Sequence, residues 1–115
     1  MTELDTLREQ LRKFAAARDW EQFHSPKNLA MALAVETAEL LEVFQWLTEE
    51  QSRSLEPDAH AAASDEVADV LLYLIRLSDT LGIDPVAAAG RKLVENARKY
   101  PVDKARGSSK KYTRL

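Results

Sequence analysis

The sequence feature that most limits the fold is a run of six apolar residues, Val70-Leu71-Leu72-Tyr73-Leu74-Ile75, within a segment of helical spacing. A helix that is apolar on every side has to be buried on every side. The chain has 115 residues, enough for one domain. A domain of that size has little material with which to surround one helix completely. The run therefore predicts a central helix whose outer side is covered by a second copy of the chain, and thus a homo-oligomer.

Apolar spacing and capping residues predict four helices and no strands. Two of the helices begin with a capping residue followed by proline, at Ser25-Pro26 and at Asp84-Pro85. Gly82 suits the residue that follows the end of the third helix. No alternating apolar pattern or Asn-Gly turn indicates a hairpin, so the predicted fold is an all-α four-helix bundle. The predicted helices span about 2–17, 26–47, at least 64–81, and 85 to just before Pro101.

The segments between these helices define the expected domain organisation. Residues 18–24 form a connector and residues 48 to about 58 a polar loop, while the alanine-rich run 59–63 leaves the next boundary open. We expect one domain over residues 1–101, followed by a basic tail over residues 102–115. No internal repeat is present.

Composition narrows the class of protein. Apolar residues make up 45% and charged residues 30%, as in ordinary globular chains. The absence of cysteine excludes disulfide scaffolds, cysteine-ligated zinc, iron–sulfur clusters and thiol nucleophiles. No uncharged run is long enough to span a membrane. Glu3 and Asp5 stand where a secretory signal would carry basic residues, so the expected location is cytoplasmic.

The net charge of −3 conceals a division along the chain. Residues 91–115 carry nine Lys or Arg and two Asp or Glu, whereas the preceding residues are strongly acidic. An acidic body with a basic end is compatible with a site that joins cations to an anionic ligand, and equally with a solvated tail. Binding to a nucleic acid polymer is disfavoured, because it requires an extended basic surface.

Two pairs of carboxylates carry the chemistry of the sequence. Glu36 and Glu39 lie on the second predicted helix, and Glu66 and Asp69 on the third. A spacing of three residues places both members of a pair on one face of a helix. Glu36 falls within the apolar stripe of its helix, where an unpaired charge is costly. Two such pairs on helices that can face one another require a compensating cation.

A hard divalent cation fits this need. Mg²⁺ takes oxygen ligands and commonly bridges to substrate phosphates. Di-iron bundles instead use Glu-x-x-His pairs on their helices, and the second and third predicted helices carry none. The competing interpretation of the carboxylates is a pair of solvated acidic stripes, which are common on helices. Likewise Trp20, Trp46, Tyr73 and His24 could contact a ligand or simply pack at helix edges.

Further motifs frame the carboxylates, and together they resemble a known family. These motifs are Arg18-Asp19-Trp20-Glu21-Gln22-Phe23-His24, Phe44-Gln45-Trp46, Asp69-Val70-Leu71-Leu72-Tyr73-Leu74, Asn96-Ala97-Arg98-Lys99-Tyr100-Pro101 and Ser108-Ser109-Lys110-Lys111-Tyr112-Thr113. The chain resembles the MazG-like nucleotide pyrophosphohydrolases of the all-α NTP pyrophosphatase superfamily, and within it the dCTP pyrophosphatase branch. The resemblance covers nearly the whole chain.

The resemblance implies an enzyme that converts a nucleoside triphosphate, foremost dCTP or a modified dCTP, to its monophosphate and pyrophosphate in sanitation of the nucleotide pool. It also implies Mg²⁺ and a tetramer built as a dimer of dimers. Animal members of the branch carry a histidine on the first helix where Leu11 stands here, which leaves the base preference open. The implied metal ligands are Glu36, Glu39, Glu66 and Asp69, and the implied substrate-binding residues are Trp20, His24, Trp46, Tyr73, Lys92 and Asn96.

The chemistry of the residues suggests how such a site would act. We expect a water molecule to attack the α-phosphorus while Glu36 or Glu39 takes its proton. The cations Lys92, Arg98 and Lys99 could neutralise the leaving pyrophosphate. The alternative is a non-catalytic helical module that binds a metal or a nucleotide without turnover.

Overall fold

The computed structural model describes residues 1–115, and every regular element in it is helical. The predicted all-α class is thereby confirmed. Two 3₁₀ turns, Glu21–Phe23 and Tyr112–Arg114, accompany the α-helices. The α-helices are α1 (Glu3–Ala17), α2 (Pro26–Phe44), α3 (Glu49–Ser52), α4 (Pro57–Thr80), α5 (Pro85–Lys99) and α6 (Val102–Ala105).

Three of the four predicted helix starts are confirmed by capping hydrogen bonds. The side chain of Thr2 accepts from the Asp5 amide, and the Asp5 carboxylate accepts from the Thr2 amide, at 3.1 and 3.0 Å. Ser25 Oγ accepts from the Asn28 amide at 3.2 Å, ahead of Pro26. Asp84 caps α5 through the next two free amides. Each cap satisfies amides that the first turn of a helix leaves unpaired.

The segment between the second and third predicted helices is more ordered than the sequence suggested. α2 ends at Phe44, three residues early, and the expected loop contains the single turn α3. Thr48 and Gln51 form a reciprocal capping box that nucleates this turn. α4 already begins at Pro57, which needs no amide partner at the first helical position, and so takes in the alanine-rich run.

The chain divides into two compact units, Met1–Gly82 and Ile83–Leu115. In the first unit α4 packs against both α2 and α1. Its core contains Ala15 of α1, Leu29 of α2, and Ala63 and Ile75 of α4, all almost fully buried. α4 is thus the central helix of this unit, as its apolar run predicts.

The burial of α4 is nevertheless incomplete within one chain. Ile75 is 1% exposed, but Val67, Leu71 and Leu74 are 55%, 42% and 41% exposed. These three residues follow helical spacing and form one stripe, which we call the α4 apolar stripe. Gly82, at φ 67°, follows the end of α4 in the left-handed conformation that glycine adopts readily.

The second unit contains α5, α6 and the last 3₁₀ turn. Glu95 on α5 pairs with Lys92 at 3.4 Å and with Lys99 at 3.2 Å. The Lys99 ammonium also lies 4.9 Å from the centre of the Tyr112 ring, which meets Tyr100 edge to face. These contacts fold the basic end of the chain back onto the last turn of α5. None of the helices of the protein is long and apolar enough to cross a membrane.

Candidate metal centre and adjoining cavity

Three carboxylates of the first unit converge where α2 meets α4. Glu36 and Glu39 project from α2 and Glu66 from α4, and one oxygen of each lies within 4.8 Å of the others. All three side chains are half-buried. Their convergence follows from the sequence spacing, because Glu36 shares the apolar stripe by which α2 packs against α4. We call these three residues the acidic cluster.

Burial and mutual repulsion make the acidic cluster electrostatically unfavourable when it is fully ionised. Loss of solvation is the largest of the causes that raise the pKa of Glu36 to about 7, and the neighbouring carboxylates Glu66, Glu39 and Asp69 contribute the rest. The pKa of Glu66 is raised chiefly by the same loss of solvation. The Oε2 atoms of Glu36 and Glu66 are buried and have no hydrogen-bond partner.

The acidic cluster fits a divalent cation. Buried polar atoms normally have partners, so two orphaned carboxylate oxygens side by side call for one. Hard divalent cations prefer such oxygen donors, and their charge would remove the repulsion. The cluster is therefore a candidate divalent-metal site, and it contains three of the four carboxylates that the sequence spacing singled out.

Asp69, the fourth predicted ligand, lies one turn beyond Glu66 on α4 but outside the group that converges. Its side chain is exposed and lines a neighbouring cavity. Its charge still contributes to the raised pKa of Glu36 and of Glu66. Asp69 thus stands between the acidic cluster and the cavity.

The cavity has a volume of about 490 Å³, a size that suits a small-molecule ligand. Its walls come from α1, α4 and the connector between α1 and α2, and they are mostly apolar with a few polar groups. The structure brings Trp20, His24, Asp69 and Tyr73 together here, together with Leu11. The complete lining is Leu7, Gln10, Leu11, Phe14, Ala15, Trp20, His24, Asp69, Leu72, Tyr73 and Arg76.

A tight reversal after α1 carries Trp20 into this wall. The Trp20 amide donates to the Ala15 carbonyl at 2.9 Å and the Asp19 amide to the Ala16 carbonyl at 3.2 Å. Asp19 adopts φ 53°, the left-handed conformation that such a helix end requires. The indole then meets Phe14 edge to face at 5.7 Å.

Arg76 is a member of the cavity wall that the sequence reasoning missed. Its Nε donates a hydrogen bond to Nδ1 of His24 at 3.1 Å. The signal was present in the spacing, because Asp69, Tyr73 and Arg76 are four and three residues apart and so share one face of α4. Gln10 and Leu72 were likewise not singled out and also line the cavity.

Three predicted substrate-binding residues are not among those that line the cavity. Trp46 follows α2, is 87% exposed and does not line the cavity. Lys92 and Asn96 are exposed on α5, in the second unit. Within the first unit the structure therefore gathers Trp20, His24 and Tyr73 in one wall and leaves Trp46 outside it.

A helical core with paired carboxylates beside an apolar cavity is the arrangement of a metal-dependent small-molecule site. Sequence comparison identifies the protein family to which it belongs. The model of the MazG-like family matches residues 31–115, so the chain belongs to the MazG-like family. The resemblance found in the sequence motifs is thereby confirmed.

Individual relatives agree with this assignment. The chain is 44% identical to human dCTP pyrophosphatase 1 over 114 residues, covering 97% of this chain and 67% of that protein. The bovine dCTP pyrophosphatase 1 is 43% identical over the same length, with 68% of that protein covered. Among solved structures, a pyrophosphatase from Archaeoglobus fulgidus is 39% identical and superposes with a TM-score of 0.82 over 88% of this chain and 94% of that one.

Proposed function

We propose that the protein is a nucleoside triphosphate pyrophosphohydrolase that releases a monophosphate and pyrophosphate. The observation that carries the proposal is the placement of an acidic cluster and an apolar cavity side by side along α4. The cluster offers oxygen ligands for a cation that binds phosphates, and the cavity offers aromatic surfaces for a base. Family membership and the identity to dCTP pyrophosphatase 1 support the same activity.

The proposed orientation places the nucleoside in the cavity and the phosphates toward Glu66. The Trp20 indole and the Tyr73 ring supply apolar contact, and Asp69 lies at the boundary between the two regions. Trp46, Lys92 and Asn96 are retained as proposed substrate-binding residues on the family resemblance alone. The proposed cation is Mg²⁺, held by Glu36, Glu39 and Glu66 with Asp69 as the fourth predicted ligand.

The reaction adds water across the bond between the α- and β-phosphoryl groups. Mg²⁺, when bound, would polarise the phosphate chain and acidify a coordinated water. A carboxylate of Glu36 or Glu39 accepts one proton of the attacking water, the oxygen bonds to the α-phosphorus, and the bond to the bridging oxygen breaks. The bridging oxygen leaves with pyrophosphate.

The proposed substrate is dCTP or a 5-modified dCTP. Leu11, in the cavity wall, offers no hydrogen bond to a base. Strong discrimination requires polar groups of the site that the wrong base leaves unpaired. Base selection in this protein is therefore assigned to the remaining polar groups of the wall.

The proposed assembly is a homo-oligomer, a tetramer built as a dimer of dimers. The exposed α4 apolar stripe supports it, because Val67, Leu71 and Leu74 are partly open to solvent in the single chain. Met31 and Val35 on α2 are likewise 55% and 56% exposed.

The proposed location is the cytoplasm, where the nucleoside triphosphates to be hydrolysed are held, and cell fractionation tests it.

A product assay tests the activity. The protein is incubated with Mg²⁺ and each common or 5-modified dNTP and NTP, and the products are separated chromatographically. We expect a monophosphate and pyrophosphate, with dCTP or a 5-modified dCTP hydrolysed fastest. Release of a diphosphate and phosphate would contradict attack at the α-phosphorus. Binding of nucleotide without any turnover would instead indicate a non-catalytic binding module.

A further inference from the structure

One contact in the cavity wall determines how His24 can interact with a ligand. Arg76 Nε on α4 donates to His24 Nδ1 at 3.1 Å. An arginine guanidinium has only donors and stays protonated, so the imidazole nitrogen that it meets has to be an acceptor. The proton of a neutral His24 is then on Nε2, because a neutral imidazole has one donor nitrogen and one acceptor nitrogen.

Arg76 is itself held in place from the far side. Its Nη1 lies 3.7 Å from Oδ2 of Asp79, and both side chains are almost buried, at 11% and 12% exposure. Asp79 in turn accepts two hydrogen bonds from Arg12 of α1, at 2.7 and 2.6 Å. The guanidinium is thus anchored between His24 and a carboxylate, and its direction does not depend on a ligand.

The charged groups around His24 favour the neutral imidazole. Burial lowers the pKa of His24 first, and the positive charge of Arg76 lowers it further. Glu21, in the preceding 3₁₀ turn, acts in the opposite direction as the weakest contribution. Asp69 of α4 lines the same cavity, while the residues that α1 contributes to the wall are uncharged. A neutral His24 therefore has one acceptor nitrogen, Nδ1, and one N–H donor, at Nε2.

His24 belongs to the cavity wall, next to Trp20, whose ring it meets edge to face at 6.2 Å. Its Nδ1 is occupied by Arg76, whereas its Nε2 forms no hydrogen bond within the protein. The free nitrogen is therefore a polar group in a mostly apolar wall. Such groups orient ligands in small-molecule sites.

We infer that Arg76 is a positioning residue that holds His24 in the neutral Nε2–H form, so that the cavity presents an imidazole N–H donor to an acceptor atom of the ligand. The ligand class is a base with a carbonyl oxygen or an unprotonated ring nitrogen on the edge facing His24. Recognition of a base rests on the proposed function, whereas the protonation state of His24 in the free protein does not.

Nitrogen NMR of the imidazole rings tests the first part without substrate. His24 and His60 are the only histidines, and the exposed His60 serves as a control within the same spectrum. We expect the wild-type protein to show His24 protonated on Nε2, and Arg76→Met to show mixed protonation and a higher His24 pKa. A wild-type His24 protonated on Nδ1 would overturn the inference even if Arg76→Met does not fold.

Steady-state kinetics of His24→Gln and His24→Asn test whether Nε2–H of His24 donates to the ligand. Gln at position 24 can place an amide N–H near the former Nε2, whereas Asn places it near the former Nδ1. We expect His24→Gln to raise KM about threefold and His24→Asn about tenfold or more, with kcat little changed, as for loss of one hydrogen bond to a ligand. Equal effects of the two variants, or effects on kcat alone, would contradict the assignment of Nε2 as the donor.

The two measurements separate failure of the inference from failure of the proposed function. Turnover of triphosphates by a protein whose His24 is protonated on Nδ1 would overturn the inference and leave the function standing. Absence of turnover with His24 protonated on Nε2 would overturn the function, and recognition of a base with it. Arg76→Lys, which keeps the charge and a donor, is expected to restore part of the Nε2–H population that Arg76→Met loses.

Discussion

Arg12 on α1 forms a bidentate ion pair with Asp79 on α4. Arg12 Nε donates to one carboxylate oxygen at 2.7 Å and Arg12 Nη2 to the other at 2.6 Å. This two-pronged contact ties the outer helix of the first unit to the central one. It also lowers the pKa of Asp79, through the hydrogen bonds and the positive charge of Arg12. Asp79 is only 12% exposed, so solvent screens the contact weakly at that end.

We expect Asp79→Asn to destabilise the protein by about 1–3 kcal/mol, the usual contribution of hydrogen bonds to a charged group. Because the pKa of Asp79 is lowered in the folded state, its contribution is complete above the ordinary value of 3.8 and is lost as the pH falls through the folded value. Urea unfolding of both proteins at neutral pH and in acid measures this. A stability difference that persists unchanged in strong acid would contradict the assignment.

The raised pKa of Glu36 predicts that the metal-free protein is less stable at high pH. In the folded state Glu36 keeps its proton up to about pH 7, whereas the unfolded chain loses it near 4.5. The folded state therefore binds more protons between these values, and its stability falls as the pH rises through this window. Glu36→Gln should flatten the fall, as measured by melting temperatures in chelator at pH 5 and 8.

The stabilisation that Mg²⁺ gives through the acidic cluster should increase with pH, whereas the stability of the metal-free protein falls. Cation binding requires ionised carboxylates, so the stabilisation it gives should be larger at pH 8 than at pH 5. The matched control is Glu42→Gln, an exposed carboxylate on the same helix, which should leave both effects in place. If the metal-free wild type and Glu36→Gln change in melting temperature equally between pH 5 and 8, Glu36 is solvated in the folded state.

The proposed chemistry requires the carboxylates themselves. We expect Glu39→Gln and Asp69→Asn each to reduce kcat about 100-fold or more with helicity intact, because each keeps its size but loses its charge. Circular dichroism and the product assay measure the two quantities. Retained turnover in either variant would remove that residue from the site, and Glu42→Gln again provides the comparison.

Because Trp20 lines the cavity, we expect its indole to contact the base of the nucleotide. Stacking on an aromatic ring contributes about 1–3 kcal/mol, so Trp20→Ala should raise KM by roughly fivefold to 150-fold. Phe23 provides the control, since it is 59% exposed in the same connector and does not line the cavity. Equal KM values for Trp20→Ala and Phe23→Ala would show that the base binds elsewhere.

The α4 apolar stripe is expected to hold the subunits together. Leu71→Asp places a charge at the centre of the stripe, where burial against a second copy would be unfavourable. Multi-angle light scattering should show a smaller assembly than the wild type. Ala62→Asp adds the same charge at an exposed position elsewhere on α4 and should leave the mass unchanged. A wild-type monomer would end the proposal of an oligomer.

The acidic cluster was predictable because its members obey helix periodicity. Glu36 occupies an apolar position of α2, so the helix cannot pack without bringing it toward α4. The departure of Asp69 from the cluster was not predictable in this way. A three-residue step along a helix keeps two side chains on one face, but the docking of α1 and the connector decides which of them faces the cavity.

The cavity wall depends on features that a local pattern does not reveal. Trp20 reaches it through the left-handed backbone of Asp19, at a position where glycine is the usual signal. Arg76 becomes relevant only through a contact with His24, 52 residues away in sequence. The sequence predicts a polar loop between α2 and α4, whereas the structure has the single helical turn α3 there. The capping box of Thr48 and Gln51 that starts this turn is a short signal among polar residues.

One uninterrupted helix, α4, carries Glu66 of the acidic cluster and Arg76 of the cavity wall. Ten residues of helix rise about 15 Å, so the backbone sets the separation between the two regions as a rigid spacer. Replacing a residue in this interval alters one side chain, but deleting one turns everything beyond it by about 100° and draws it about 1.5 Å closer. The interval should therefore reject changes of length even at positions whose own side chains contact neither region, because the backbone of α4 fixes the distance between the acidic cluster and the cavity wall.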